Sequence, residues 1–276
     1  MEIFSLPIVL LFVLLGSLAG FLAGLLGIGG GIVLVPLFLW SFAAAGFSPE
    51  VLVHCAFGTS LAIIILTTFS SSLGHRKRGN INSRQVSMLV LGGVVGAVVA
   101  AWAASLLAGP WLKGLFGLMQ ILVAVKLLIF QPRLPPERSE PVPPYQLIAV
   151  GLAGGAFSAF FGVGGGVVAV PLMVIVLGFP MHLAVGNSSA LIVISSLSGA
   201  LSYVFLGWGH VDLPPFSLGY VNLLVVLLVA PFTMGMARLG VRTASRTSHD
   251  KLVKIFAVLL IFVGLRMLYQ LVELHH

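Results

Sequence analysis

The sequence predicts an all-α polytopic membrane protein: two inverted repeats of about five hydrophobic segments each, with glycine-broken or re-entrant segments. Three observations predict it. Of 276 residues, 59% are hydrophobic and 8% charged, against roughly a quarter charged in soluble domains. Stretches such as Leu6–Leu26 and Val86–Leu112 carry no charge, long enough to cross a bilayer core of about 30 Å as helices. Third, Gly24–Pro36 (GLLGIGGGIVLVP) returns as Ala159–Pro171 (AFFGVGGGVVAVP) at the chain's midpoint. The runs are continuous rather than alternating, which excludes barrel strands.

In order, the first half reads as apolar segments over about 6–26, 31–45, 50–74, 85–108 and 111–130. The second reads as 145–161, 166–179, 182–206, 216–239 and 251–273. Six prolines in Gln131–Pro144 forbid a continuous helix. Residues 131–144 are thus a proline-rich cytoplasmic linker between a first membrane repeat, 1–130, and a second, 145–276. The correspondence extends past the glycines. His54–Ser60 (HCAFGTS) resembles His182–Ser188 (HLAVGNS), and Gly79–Asn82 (GNIN) resembles Gly209–Asp212 (GHVD). The segment after each glycine motif is short: a tilted span or one arm of a re-entrant hairpin. Either way each half crosses an odd number of times.

Charge supports the odd count. With four spans per half, the basic loops His75–Arg84 and Arg238–Lys254 would face opposite sides. With an odd count both face the linker's side, which gathers twelve of the fourteen Lys and Arg residues. The positive-inside rule selects that arrangement, with both termini outside a bacterial-type inner membrane. The net charge of +7 and pI near 10.1 are loop charge, not a nucleic-acid surface. A single cysteine, Cys55, allows no intramolecular disulfide, and no cleavable signal is expected behind Glu2.

The candidate chemistry lies in the repeated motifs. Gly27, Gly29, Gly30 and Gly31, with Gly162, Gly164, Gly165 and Gly166, break the backbone between apolar arms. A helix start beyond such a break favours an anion; the alternative is close helix packing through small residues. Neither run continues as a P-loop or follows a strand, so no nucleotide site is expected. Thr59 and Ser60, with Asn187 and Ser188, offer neutral donors to an oxyanion; the alternative is interhelical hydrogen bonding. His54 and His182 are repeat equivalents near helix starts, either capping groups or proton-relay groups. No histidine pair has the helical i, i+4 metal spacing, and neither metal nor cofactor is expected. No Asp or Glu lies inside an apolar segment, so proton coupling would need a histidine, Glu50 or Asp212 at a segment edge, or a protonated substrate.

The paired glycine motifs, the Gly-Thr-Ser and Gly-Asn-Ser clusters, and the basic loop ending at Asn82 together resemble the sulfite exporter TauE/SafE family, also called TSUP, over about residues 8–270. The resemblance implies a permease for sulfite, sulfonates, thiosulfate or a related small anion. It assigns substrate-binding positions to the eight glycines above and to Thr59, Ser60, Asn187 and Ser188. The expected function is secondary transport or export of such an oxyanion by alternating access between the repeats, with no catalytic residues. A passive anion channel of the same fold is the first alternative. An intramembrane hydrolase using Ser60 with His54 is the second, although nothing orders that pair as a dyad. The expected partners are a small sulfur anion and the lipid bilayer, not nucleic acid.

Overall fold

The computed structural model describes residues 6–26, 30–129, 141–244, 257–258 and 260–269. Among these the chain is almost entirely helical: α1 (Leu6–Leu26), α2 (Gly31–Ala44), α3 (Pro49–Lys77), α4 (Ser83–Ser105), α5 (Gly109–Ile129), α6 (Pro144–Phe161), α7 (Gly166–Ile175), α8 (Met181–Leu206), α9 (Leu223–Ala244) and α10 (Leu260–Tyr269). A two-stranded hairpin, β1 (Ser217–Leu218) and β2 (Val221–Asn222), precedes α9. Helices α3, α4, α6 and α8 are long and apolar enough to cross a membrane. Most of the linker, 131–140, and the basic residues Arg246, Lys251 and Lys254 lie outside the described residues.

Helix ends follow local chemistry. Asn82 caps α4, its side chain accepting from the N–H groups of Arg84 and Gln85 at 3.1 and 3.2 Å. Pro49 and Pro144 sit in the first turns of α3 and α6, where the missing N–H costs nothing. The fourteen residues of α2 and ten of α7 reach about 21 and 15 Å at 1.5 Å per residue, short of the bilayer core. The seventh segment stops at Ile175 rather than at 179, because Gly178 adopts φ 67° before Phe179 and Pro180. The ninth begins at Leu223 rather than 216. Residues 217–222 are held as a hairpin, and Asn222 Oδ1 accepts from the N–H of Val225 at 3.0 Å to start the helix.

The packing repeats with the halves exchanged: α6 of the second half lies along α4 of the first, and α1 lies along α9. Both pairs run parallel and meet through glycines. A Cβ on Gly151 would strike the Leu89 carbonyl, and one on Gly155 the Gly93 carbonyl. Gly16 and Gly20 hold the same places against Val229 and Thr233, whose hydroxyl donates to the Gly16 carbonyl at 3.2 Å. Small residues let backbones approach this closely in a membrane.

The central pair, α3 and α8, runs antiparallel. Gly58 and Leu61 near the start of α3 face Tyr203 and Gly199 near the end of α8, while Gly186 at the start of α8 faces Asn80, just past the end of α3. Two equivalent helices in opposite directions are related by an axis across them, the geometry of inverted halves.

The loops after α3 and α8 correct one expected pairing. The Asn80 N–H donates to the His75 carbonyl at 3.0 Å and the Tyr220 N–H to the Tyr203 carbonyl at 3.1 Å. The Asn82 N–H donates to Asn187 Oδ1 at 2.9 Å and the Asn222 N–H to Thr59 Oγ1 at 3.0 Å. The counterpart of Gly79–Asn82 is therefore Gly219–Asn222, not Gly209–Asp212. Gly209 shares the left-handed φ of Gly79 but none of these contacts. Residues 209–212 belong to an insertion in the second half that the first half lacks.

Candidate functional site

The second glycine run is a deliberate backbone break. Gly162 ends α6 with φ 68°, Gly164 follows with φ 85°, and Gly165 caps the start of α7 with φ 66°. All three values lie in the left-handed region, which glycine enters at little cost. Gly30 repeats this as the cap of α2, with φ 83°. Gly27 and Gly29 lie outside the described residues.

The break sits at the middle of the central helix pair. Side chains at the middles of α3 and α8, Ile64 and Ile192, flank the Cβ direction of Gly164 at 3.1 and 3.2 Å. A Cβ on Gly31 would collide with the Val163 backbone and with Ile64 Cδ1, so the start of α2 abuts the second break. The structure thus gathers Gly31, Gly162, Gly164, Gly165 and Gly166 around the crossing of α3 and α8.

The four polar residues divide. Ser60 donates to the Gly162 carbonyl at 2.8 Å. Thr59 accepts from the Asn222 N–H, and Asn187 accepts from the Asn82 N–H while its amide donates to Gln85 Oε1 at 2.8 Å. These three tie one half to the other. Ser188 Oγ is buried with no hydrogen-bond partner. Ser158 Oγ, on the last turn of α6, is in the same condition. Both flank the start of α7: Ser188 Oγ lies 3.6 Å from a Cβ built on Gly166, and Ser158 Cβ lies 3.1 Å from one on Gly165. Two orphan hydroxyls thus stand at a helix start, where N–H groups lack intrahelical partners.

Sequence reasoning missed Ser158 and Gln120. Gln120 on α5 is fully buried, donates from Nε2 to the Ile32 carbonyl at 3.1 Å, and leaves Oε1 unpaired. It therefore places a polar group at the start of α2. An isolated glutamine in an apolar helix was the available signal.

His54 and His182 are not alike. His54 is buried, its Nε2 3.3 Å from the Ala104 carbonyl and its ring stacked on Tyr220 at 5.1 Å. His182 is exposed at the start of α8, the opposite end of the antiparallel pair. Ser60 and His54 each face other partners, so the structure builds no dyad from them. Burial raises the Tyr220 phenol above its ordinary pKa, so this neighbour of His54 is neutral.

A bundle of apolar helices, two of them short and entered through glycine breaks at the centre, defines a polytopic membrane protein of the transporter class. A family model described as Sulfite exporter TauE/SafE matches residues 12–267, and the chain belongs to that family. A Haemophilus influenzae protein named "Probable membrane transporter protein" is 30% identical over 94% of this chain and 97% of its own length. Bacillus subtilis YunE, a "Probable membrane transporter protein", is 28% identical over 94% of this chain and 96% of its own. A Methanocaldococcus jannaschii protein given the same description is 28% identical over 94% of both chains. These names indicate a transporter rather than an enzyme.

Proposed function

We propose that the protein is a secondary transporter or exporter of a small oxyanion, either sulfite, an organosulfonate or a related sulfur anion. One observation supports the reading most: the unpaired hydroxyls of Ser158 and Ser188 flank the start of α7 at the middle of the central helix pair. Neutral donors and a positive helix end bind an anion without placing a full charge in the bilayer. The proposed ligand positions are the eight glycines of the two breaks with Thr59, Ser60, Asn187 and Ser188, to which Ser158 is added. Ser60, Thr59 and Asn187 are engaged between halves in this conformation, so their release would accompany the change of access. The repeats, 1–130 and 145–276, rock about the linker, in an inner membrane with both termini outside. His54, being buried, is the better candidate of the histidine pair for proton coupling.

A passive channel is the second reading. It is favoured by Glu50 and Asp212 being exposed, which leaves no carboxylate in the core among the described residues. Flux of labelled sulfite into proteoliposomes distinguishes the two. A carrier saturates and is accelerated by unlabelled sulfite on the far side. A channel shows neither, and a protein that moves no sulfur oxyanion refutes both.

A further inference from the structure

The insertion that separates Gly219–Asn222 from the end of α8 has no counterpart in the first half, and it carries His210 and Asp212. The fold brings these two beside Glu50, in the first turn of α3. One ligand atom from each of Glu50, His210 and Asp212 lies within 4.8 Å of the others. His210 Nδ1 is 3.9 Å from Asp212 Oδ2. The Asp212 backbone N–H donates to Nδ1 at 3.4 Å, which holds the ring beside the Asp212 side chain.

We infer that Glu50, His210 and Asp212 form a divalent transition-metal site that ties the start of α3 to the inserted loop. A cation bound between them would offset the repulsion of two carboxylates held this close. His210 with Asp212 is the ion pair found among the described residues, and no Lys or Arg takes part. One imidazole and two carboxylates suit zinc or manganese. Bonds of about 2.0–2.2 Å place ligand atoms roughly 3–4 Å apart, a closure that rotation of the exposed carboxylates supplies. The surroundings are polar as well. The His210 ring meets the Tyr220 ring at 6.1 Å, and Tyr220 also stacks on His54. The metal would join the two halves at one end of the molecule through residues outside the oxyanion site. The inference is therefore independent of what is transported.

Zinc titration of the EDTA-treated full-length protein in detergent tests it, read by calorimetry and by Tm. The expected result is one zinc per chain with a raised Tm. Glu50→Gln and Asp212→Asn should each weaken binding at least about tenfold, the loss that even outer partners of a metal produce, with metal-free Tm unchanged. His275→Ala combined with His276→Ala should leave binding intact. No binding, unchanged affinity in both carboxylate variants, or loss of all binding in the terminal histidine variant would each overturn the site.

Discussion

Asn187 Oδ1 accepts a hydrogen bond from the backbone N–H of Asn82 at 2.9 Å. Its counterpart in the other half, Thr59 Oγ1, does the same for Asn222 at 3.0 Å. Each joins the start of one central helix to the loop beyond the end of the other. These bonds fix the register of the antiparallel pair, and polar groups buried in a membrane rarely go unpaired.

Thr59→Val keeps the shape and removes the acceptor. The buried Asn222 N–H is then unsatisfied, which costs about 1–3 kcal/mol. A lower Tm in detergent is expected. A Tm equal to wild type would mean that this bond does not hold the halves together.

The break itself is sensitive to one methyl. Gly165→Ala forces φ 66° on a residue with a Cβ and drives that Cβ into the Gly154 carbonyl. Gly46→Ala carries the same kind of strain, φ 77°, into open space. Strain alone costs about 1–2 kcal/mol, so Gly46→Ala should still express and fold, with only a modest loss of Tm. Gly165→Ala should lose folded yield. Equal behaviour of the two variants in size-exclusion chromatography would refute close packing at the break.

Topology is testable with single cysteines. Positions 78 and 209 lie beyond opposite ends of the central helix pair, because Gly79 follows α3 whereas Gly209 follows the antiparallel α8. Arg78→Cys should react only from the cytoplasm and Gly209→Cys only from outside, over a background in which Cys55 is buried. Labelling of both from one side would contradict the antiparallel arrangement.

Much of the fold was legible because hydropathy sets span length. Leu6–Leu26 and Gly166 as helix bounds follow directly from apolar runs and glycine punctuation. The pairing of Gly79–Asn82 was misassigned because Gly209–Asp212 imitates its glycine-first pattern and its left-handed turn. Only the hydrogen bonds of Asn82 and Asn222 distinguish the true counterpart. For the same reason Glu50, His210 and Asp212 were invisible as a cluster: helical spacing cannot show a group assembled by an insertion. Ser60 and Ser188 looked equivalent as residues. Which of them is already satisfied depends on where Gly162 places its carbonyl.

That difference separates stability from binding. Ser60→Ala removes a bond to Gly162 and leaves its carbonyl unpaired, so a loss of about 1 kcal/mol or more in stability is expected. Ser188→Ala removes an unpaired hydroxyl and should not lower the melting temperature. A Ser188→Ala protein that unfolds earlier than Ser60→Ala would contradict the hydrogen-bond assignment.

The most direct test of an oxyanion site at the glycine break is sulfite binding to wild type and to Ser188→Ala, read as Tm against sulfite concentration. The account predicts a saturable rise in wild type. It predicts the same ligand-free Tm in Ser188→Ala, with about tenfold or more sulfite needed for the same rise, since a hydrogen bond to a charged group is worth about 1.5–3 kcal/mol. Identical sulfite curves for the two proteins, or no response in wild type, would contradict it.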